Sequence, residues 1–217
     1  VNNSAFKHYM PWRTFLKPDS ESTPVRPVVD PSMTGLNLIL AKGENKLKRI
    51  NDILVRARTK PHIWSSDISK LYNRLHLKPS SYCYQLFLYK SSLNPDDPPE
   101  IYVMVVAWYG VSPSSNQALF AIEELARLFR TDCPDAYIIL TELTYVDDIM
   151  GGADSTDERE RQISQVEHVL SSGGFSLKYI VRSGEDNGDK NCVKILGYKF
   201  NLKEDTISPG FSEINFS

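Results

Sequence analysis

Tyr145-Val146-Asp147-Asp148-Ile149-Met150 sets two adjacent aspartates inside an otherwise apolar, β-prone run. Neighbouring carboxylates disfavour each other's ionisation, and burial makes this worse. The cost disappears where the pair sits at a hairpin tip and shares a divalent cation. Taken alone, the dipeptide reads first as a plain Asp-Asp turn. A second carboxylate shifts the balance. Ile63-Trp64-Ser65-Ser66-Asp67-Ile68 reads as a strand ending in Asp67, with Tyr72 shortly after. Strand-end carboxylates from two parts of one sheet can hold two hard cations through oxygen ligands. Two such metals, about 3.5–4 Å apart, stabilise the attacking and leaving oxygens of an in-line phosphoryl displacement.

Outward from these segments, the spacing predicts an α+β chain. Pro11, Pro18, Pro24, Pro27 and Pro31 make the first thirty residues extended strands and turns, with Val25-Arg26-Pro27-Val28-Val29 as a short edge strand. Leu47, Ile50, Ile53, Leu54 and Ala57 fall at helical spacing within Glu44 to Thr59, with Lys46, Lys48, Arg49, Arg56 and Arg58 on the other sides. Tyr82 to Lys90 and Glu100 to Trp108 are β-rich runs joined through Asn94 to Pro99. Pro113 to Phe129 predicts a helix with Ala118, Ile122, Leu125 and Phe129 as its inner stripe, and a shorter helix begins at Cys133-Pro134. Ser155 with Glu158 is a capping box for a helix to about Ser172, which Gly173-Gly174 stops. Leu177 to Val181 and Val193 to Phe200 are the last strands. This order predicts an antiparallel sheet with helices packed on one face.

Composition excludes several classes. Of 217 residues, 41% are hydrophobic and 24% charged, which is ordinary for a folded chain and unlike a disordered one. Three dispersed cysteines, Cys83, Cys133 and Cys192, argue against a disulfide framework or zinc site and suit a reducing compartment. The opening residues do not read as a signal peptide, and the longest apolar stretch, Ile101 to Val111, is too short to span a bilayer, so no membrane partner is expected. The net charge of −2 hides an asymmetry. Residues 1–90 carry 15 Lys and Arg against 6 Asp and Glu, a net of +9, and the remainder carry a net of −11. Two readings follow: a basic lobe for a polyanion beside an acidic lobe for multivalent cations, or two oppositely charged surfaces that attract each other.

The motifs now carry a resemblance. Asp67 with Tyr72, Gly110 ahead of a helix, Tyr145-Val146-Asp147-Asp148, Lys178 and Leu196-Gly197-Tyr198 stand in the order of the reverse transcriptase motifs. The chain resembles the Bel/Pao class of LTR retrotransposons most. Tyr9-Met10-Pro11 through Lys17, Pro24 to Ser32 and Gly35-Leu36-Asn37 are similar to that group's fingers segment, and Gly110 to Gln117 to its next motif. The resemblance covers about residues 8 to 207.

It implies a right-hand polymerase fold: fingers at 1–61, palm with the first carboxylate motif at 62–79, a fingers/palm hairpin at 80–107, and palm to primer-grip-like hairpin at 108–217. It implies RNA-directed DNA polymerase activity by two-metal nucleotidyl transfer. Asp67, Asp147 and Asp148, with the backbone carbonyl of Ile68, would hold two Mg²⁺ ions, with Mn²⁺ as a substitute. Tyr72 would lie beneath the incoming sugar and exclude a 2′-hydroxyl, though it reads otherwise as a core tyrosine. Arg26 would grip the triphosphate, with Lys17 as a second candidate; either is otherwise a solvated charge. Tyr109 and Gly110 would line the nucleotide or template side. Retroviral-type enzymes place a glutamine differently here, so either Tyr109 or Gln117 would match it, and Gln117 otherwise faces solvent. Lys178 would donate a proton to pyrophosphate, or be a solvated strand lysine. Leu196-Gly197-Tyr198 would grip the primer, or close a sheet edge.

The implied partners are an RNA or DNA template with its primer, deoxynucleoside triphosphates, and the rest of a Pol polyprotein: thumb, RNase H and integrase. The implied location is a cytoplasmic retroelement particle or the nucleus. Two features depart from the group's pattern. Trp12-Arg13 stand where a histidine pair is usual, and no thumb or RNase H sequence is expected within the 217 residues. A catalytically silent nucleic-acid-binding or assembly module is therefore the alternative. An RNA-templated RNA polymerase is a third reading, against which Tyr72 argues.

Overall fold

The computed structural model describes residues 6–16, 18, 24–185, 192–195, 197–201 and 203–210. It divides into two compact units, 1–45 with 72–118, and 46–71 with 119–217. Both are mixed α+β with antiparallel sheets. The segment from 46 to 71 folds with the C-terminal part.

In the first unit, strands β1 (Trp12–Leu16) and β2 (Val25–Val29) pair antiparallel, Trp12 opposite Val29. A short helix, α1 (Leu36–Ile39), follows. Strands β4 (Leu86–Tyr89) and β5 (Glu100–Val103) form a second antiparallel pair. Met10, Val29, Leu36, Trp108 and Val111 are the core here. The β-rich reading of Tyr82 to Lys90 fails at its start, where Pro79–Tyr84 is a 3-10 turn with proline at its first position. Proline has no N–H for a ladder and suits the first turn of a helix.

The second unit is built on a four-stranded antiparallel sheet of β3 (His62–Ile68), β6 (Thr144–Tyr145), β7 (Asp148–Ala153) and β8 (Leu177–Arg182), in the order β6-β7-β3-β8. Its central strand β3 is covered on both faces, with Ile63, Trp64 and Ile68 buried. The small Ser65 and Ser66 are buried beside them, and their hydroxyls donate to the carbonyls of Ile149 and Tyr179. Partners opposite each other share a face, so Ile63, Ser65, Met150, Gly152 and Val181 lie on one side, and Trp64 and Gly151 on the other.

Helix α2 (Ile50–Arg58) packs Ile53, Leu54 and Ala57 on the first side, with Phe200. Helix α5 (Thr156–Ser172) covers the second, where Gln162 accepts a 3.0 Å hydrogen bond from the Trp64 indole. Helices on one face only is therefore corrected to helices on both: β3 and β7 are apolar on each side and need two covers. The capping box of α5 forms as expected, Glu158 N–H donating to Ser155 Oγ at 3.2 Å.

Helix α3 (Ser114–Leu128) buries Ala118, Leu119, Ile122 and Ala126, and Leu125 and Phe129 only in part. Its buried Glu123 explains why α2 begins late. Residues 44–49 stay non-helical, and Lys46 and Lys48 reach that carboxylate at 3.2 and 3.3 Å, supplying the countercharge a buried acid requires. Helix α4 (Pro134–Glu142) leads into β6. A three-stranded antiparallel sheet, β9 (Cys192–Ile195), β10 (Tyr198–Asn201) and β11 (Thr206–Pro209), completes the unit. The single strand expected from Val193 to Phe200 is thus a hairpin: Ile195 pairs with Tyr198 and Gly197 turns with φ 82°.

The two units carry net charges of +1 and −3, counted over their sequences. The +9/−11 asymmetry along the chain therefore does not become a basic lobe and an acidic lobe. Basic residues of α2 and its flanks pair with acids of the C-terminal part: Arg56 with Glu142, Arg58 with Asp205, Lys60 with Asp154. Of the two readings offered by charge, mutual attraction describes this segment. No helix among the described residues is long and apolar enough to cross a membrane.

Candidate functional site

The β6–β7 hairpin carries the paired aspartates. Tyr145 pairs with Asp148, leaving Val146 and Asp147 as a two-residue tip. Val146 has φ 56°, the left-handed region, which a β-branched residue adopts at a cost of about 1–3 kcal/mol. A positive φ in a two-residue tip matches the strand twist of a hairpin, so the strain serves a tight turn. The turn also presents the Asp147 carbonyl to the Ile68 N–H at 2.8 Å, which ties the tip across the end of β3.

At that end Asp67 stands directly opposite Asp148 in the β3–β7 register. Asp67 is half-buried, and its pKa is pushed up to about 6. Burial is the main cause and the Asp147 charge the second, while Lys178 opposes both. The Lys178 ammonium stands 3.6 Å from Asp67 Oδ2, so this strand lysine is engaged with the carboxylates. Tyr179, beside it on β8, feels the same charges: burial, then Asp67, Asp148 and Asp147, push its phenol pKa up. All three aspartates therefore bear on one partly buried ring, and the sequence reading missed that ring. Its only signal was its place next to Lys178.

In the first unit, Tyr72 is buried, 7% exposed, on the 3-10 turn Leu71–Arg74. Its hydroxyl shares a 2.8 Å hydrogen bond with Ser115 Oγ, and its ring meets Tyr109 edge-on at 4.6 Å. Tyr109 is exposed, and Gly110 turns with φ 88°. A Cβ at Gly110 would lie 3.2 Å from the Val29 carbonyl oxygen, so glycine is required there. Asn37 clamps this loop, donating to the Gly110 carbonyl at 2.9 Å and accepting from the Ser112 N–H at 2.8 Å. The clamp was not singled out by the sequence reading. Gln117 and Arg26 are exposed. Tyr198 is partly buried, and its hydroxyl donates to Asn51 Oδ1 at 3.4 Å. Lys17 and Leu196 lie outside the described residues.

The chemistry of the donors suits a hard divalent cation. Asp67, Asp147 and Asp148 offer only oxygen, the donor such a cation prefers. As the side chains stand, no group of three or more His, Cys, Asp or Glu among the described residues is gathered to hold a metal ion. No protein-family model matches the chain. No curated protein sequence matches it either.

Proposed function

We propose that the chain is the fingers-and-palm part of an RNA-directed DNA polymerase, which extends a primer on an RNA or DNA template with deoxynucleoside triphosphates. The observation that carries this reading is the meeting of Asp67 with Asp147-Asp148 at the paired ends of β3 and β7, around a hairpin tip held by the Ile68 N–H. Asp67, Asp147 and Asp148 would hold the Mg²⁺ pair. Bound there, the metals would lower the pKa of the primer 3′-hydroxyl and stabilise the departing pyrophosphate. Lys178, already in charge contact with Asp67, is suited to neutralising or protonating that leaving group. Tyr72 would meet the sugar and Arg26 the triphosphate. Thumb, RNase H and integrase partners belong to the same proposal.

Primer extension on an RNA template with Mg²⁺ or Mn²⁺ tests it. Incorporation should be lost on joint Asp147→Asn and Asp148→Asn substitution. Incorporation that survives the double substitution unchanged refutes the site.

The alternative is a silent nucleic-acid-binding or assembly module derived from such an enzyme. Salt-sensitive primer–template binding, with no incorporation under any metal condition, is its signature.

A further inference from the structure

We infer that Ser115 is a positioning residue for sugar selection, acting through the Tyr72 ring; this rests on the polymerase reading above. Ser115 lies in the first turn of α3, and its Oγ is 2.8 Å from the Tyr72 hydroxyl. A buried tyrosine needs a hydrogen-bond partner for its hydroxyl, and a partner at the far end of the ring fixes how the ring is aimed. Tyr109 supplies a second restraint, edge-on at 4.6 Å. The ring is thus held at its tip by Ser115 and against its body by Tyr109. A ring that discriminates by clashing with a 2′-hydroxyl does so only as well as it is held, because a ring free to retreat accepts the larger sugar. Ser115 touches neither the sugar nor the phosphates in this scheme. It sets the stiffness of the residue that does.

The Tyr72 and Ser115 hydroxyls share one hydrogen bond whichever of them donates, so deleting either end removes the same bond. The chain is assayed by primer extension with deoxynucleotides and with ribonucleotides, in Ser115→Ala, Tyr72→Phe, the double variant and Ser115→Thr. The ratio of deoxy- to ribonucleotide incorporation should fall about 2- to 10-fold in Ser115→Ala, the worth of one net hydrogen bond. The fall should arise mainly from easier ribonucleotide entry. Tyr72→Phe should match it, and the double variant should be no worse than either single change. Ser115→Thr, which keeps the hydroxyl, should restore the ratio. A merely structural role for Ser115 would lower both incorporations together and leave the ratio alone. An unchanged ratio in Ser115→Ala, or additive losses in the double variant, overturns the inference while the polymerase reading stands. A wild-type chain that extends no primer with any nucleotide overturns both.

Discussion

Asp67 is the residue at which the chemistry of the site turns into a stability measurement. Its carboxyl is raised to about 6, chiefly by burial and then by Asp147. An unfolded aspartate titrates near about 3.9, so the folded state binds the proton more tightly. The protonated form's contribution is therefore fully present below about pH 4 and is lost as pH rises through about 6. Asp67→Asn removes this loss. In metal-free buffer the variant should be more stable than the wild type at pH 7, by on the order of 1–3 kcal/mol. That advantage should shrink steadily as pH falls from about 6 to about 4. Urea denaturation across that range checks it, and a pH-independent difference between the two proteins would refute the assignment. Lys178 opposes the shift, so its presence already tempers the cost of ionising Asp67.

Strand β7 meets its neighbours through glycine. A Cβ on Gly151 would stand 2.0 Å from Trp64 Nε1, and one on Gly152 would stand 2.7 Å from the Ala57 carbonyl oxygen. The first glycine admits the indole and its bond to Gln162; the second admits α2. Gly151→Ala should therefore cost about 1–3 kcal/mol, well beyond its strand propensity, and displace the Trp64 indole N–H from Gln162. The chemical-denaturation midpoint and the indole N–H resonance report the two effects separately. An alanine at 151 that left both unchanged would show that the two strands pack otherwise. Gly151-Gly152 directly follows the aspartate-bearing run, so the same six-residue strand carries the Asp148 carboxylate at one end and close packing at the other.

For the molecule as a whole, the central strand comes from a distant part of the chain. Strand β3 lies between β7 and β8, and α2 covers Met150 and Val181, yet both elements precede the first residue of the C-terminal part by fifty residues or more. A fragment of residues 119–217 lacks the strand that joins β7 to β8 and should remain unfolded by circular dichroism and amide dispersion. Adding a peptide of residues 46–71 should restore a cooperative transition. A fragment that folds alone would refute this division of the chain. Charge follows the same logic, because basic side chains from 46–60 are neutralised by acids of the C-terminal part.

The elements with strong local signals were legible in the sequence. The capping box at Ser155 and Glu158 fixes the start of α5 through a bond three residues long, and Asp147-Asp148 in an apolar run marks the end of a hairpin because few other places tolerate it. The α+β class followed from such periods. Tertiary structure alone decided the rest. That α2 begins only at Ile50 depends on Glu123, some seventy residues away and buried, drawing Lys46 and Lys48 to it. That Lys178 and Tyr179 face the aspartates depends on β8 pairing with β3, and that Ser115 holds Tyr72 depends on how a helix and a 3-10 turn meet. Local propensity acts over a few residues, so it writes helices, caps and turns into the sequence. Countercharge and hydrogen-bond partners for buried groups come from whichever residues the packing brings near, and no short stretch of sequence contains them.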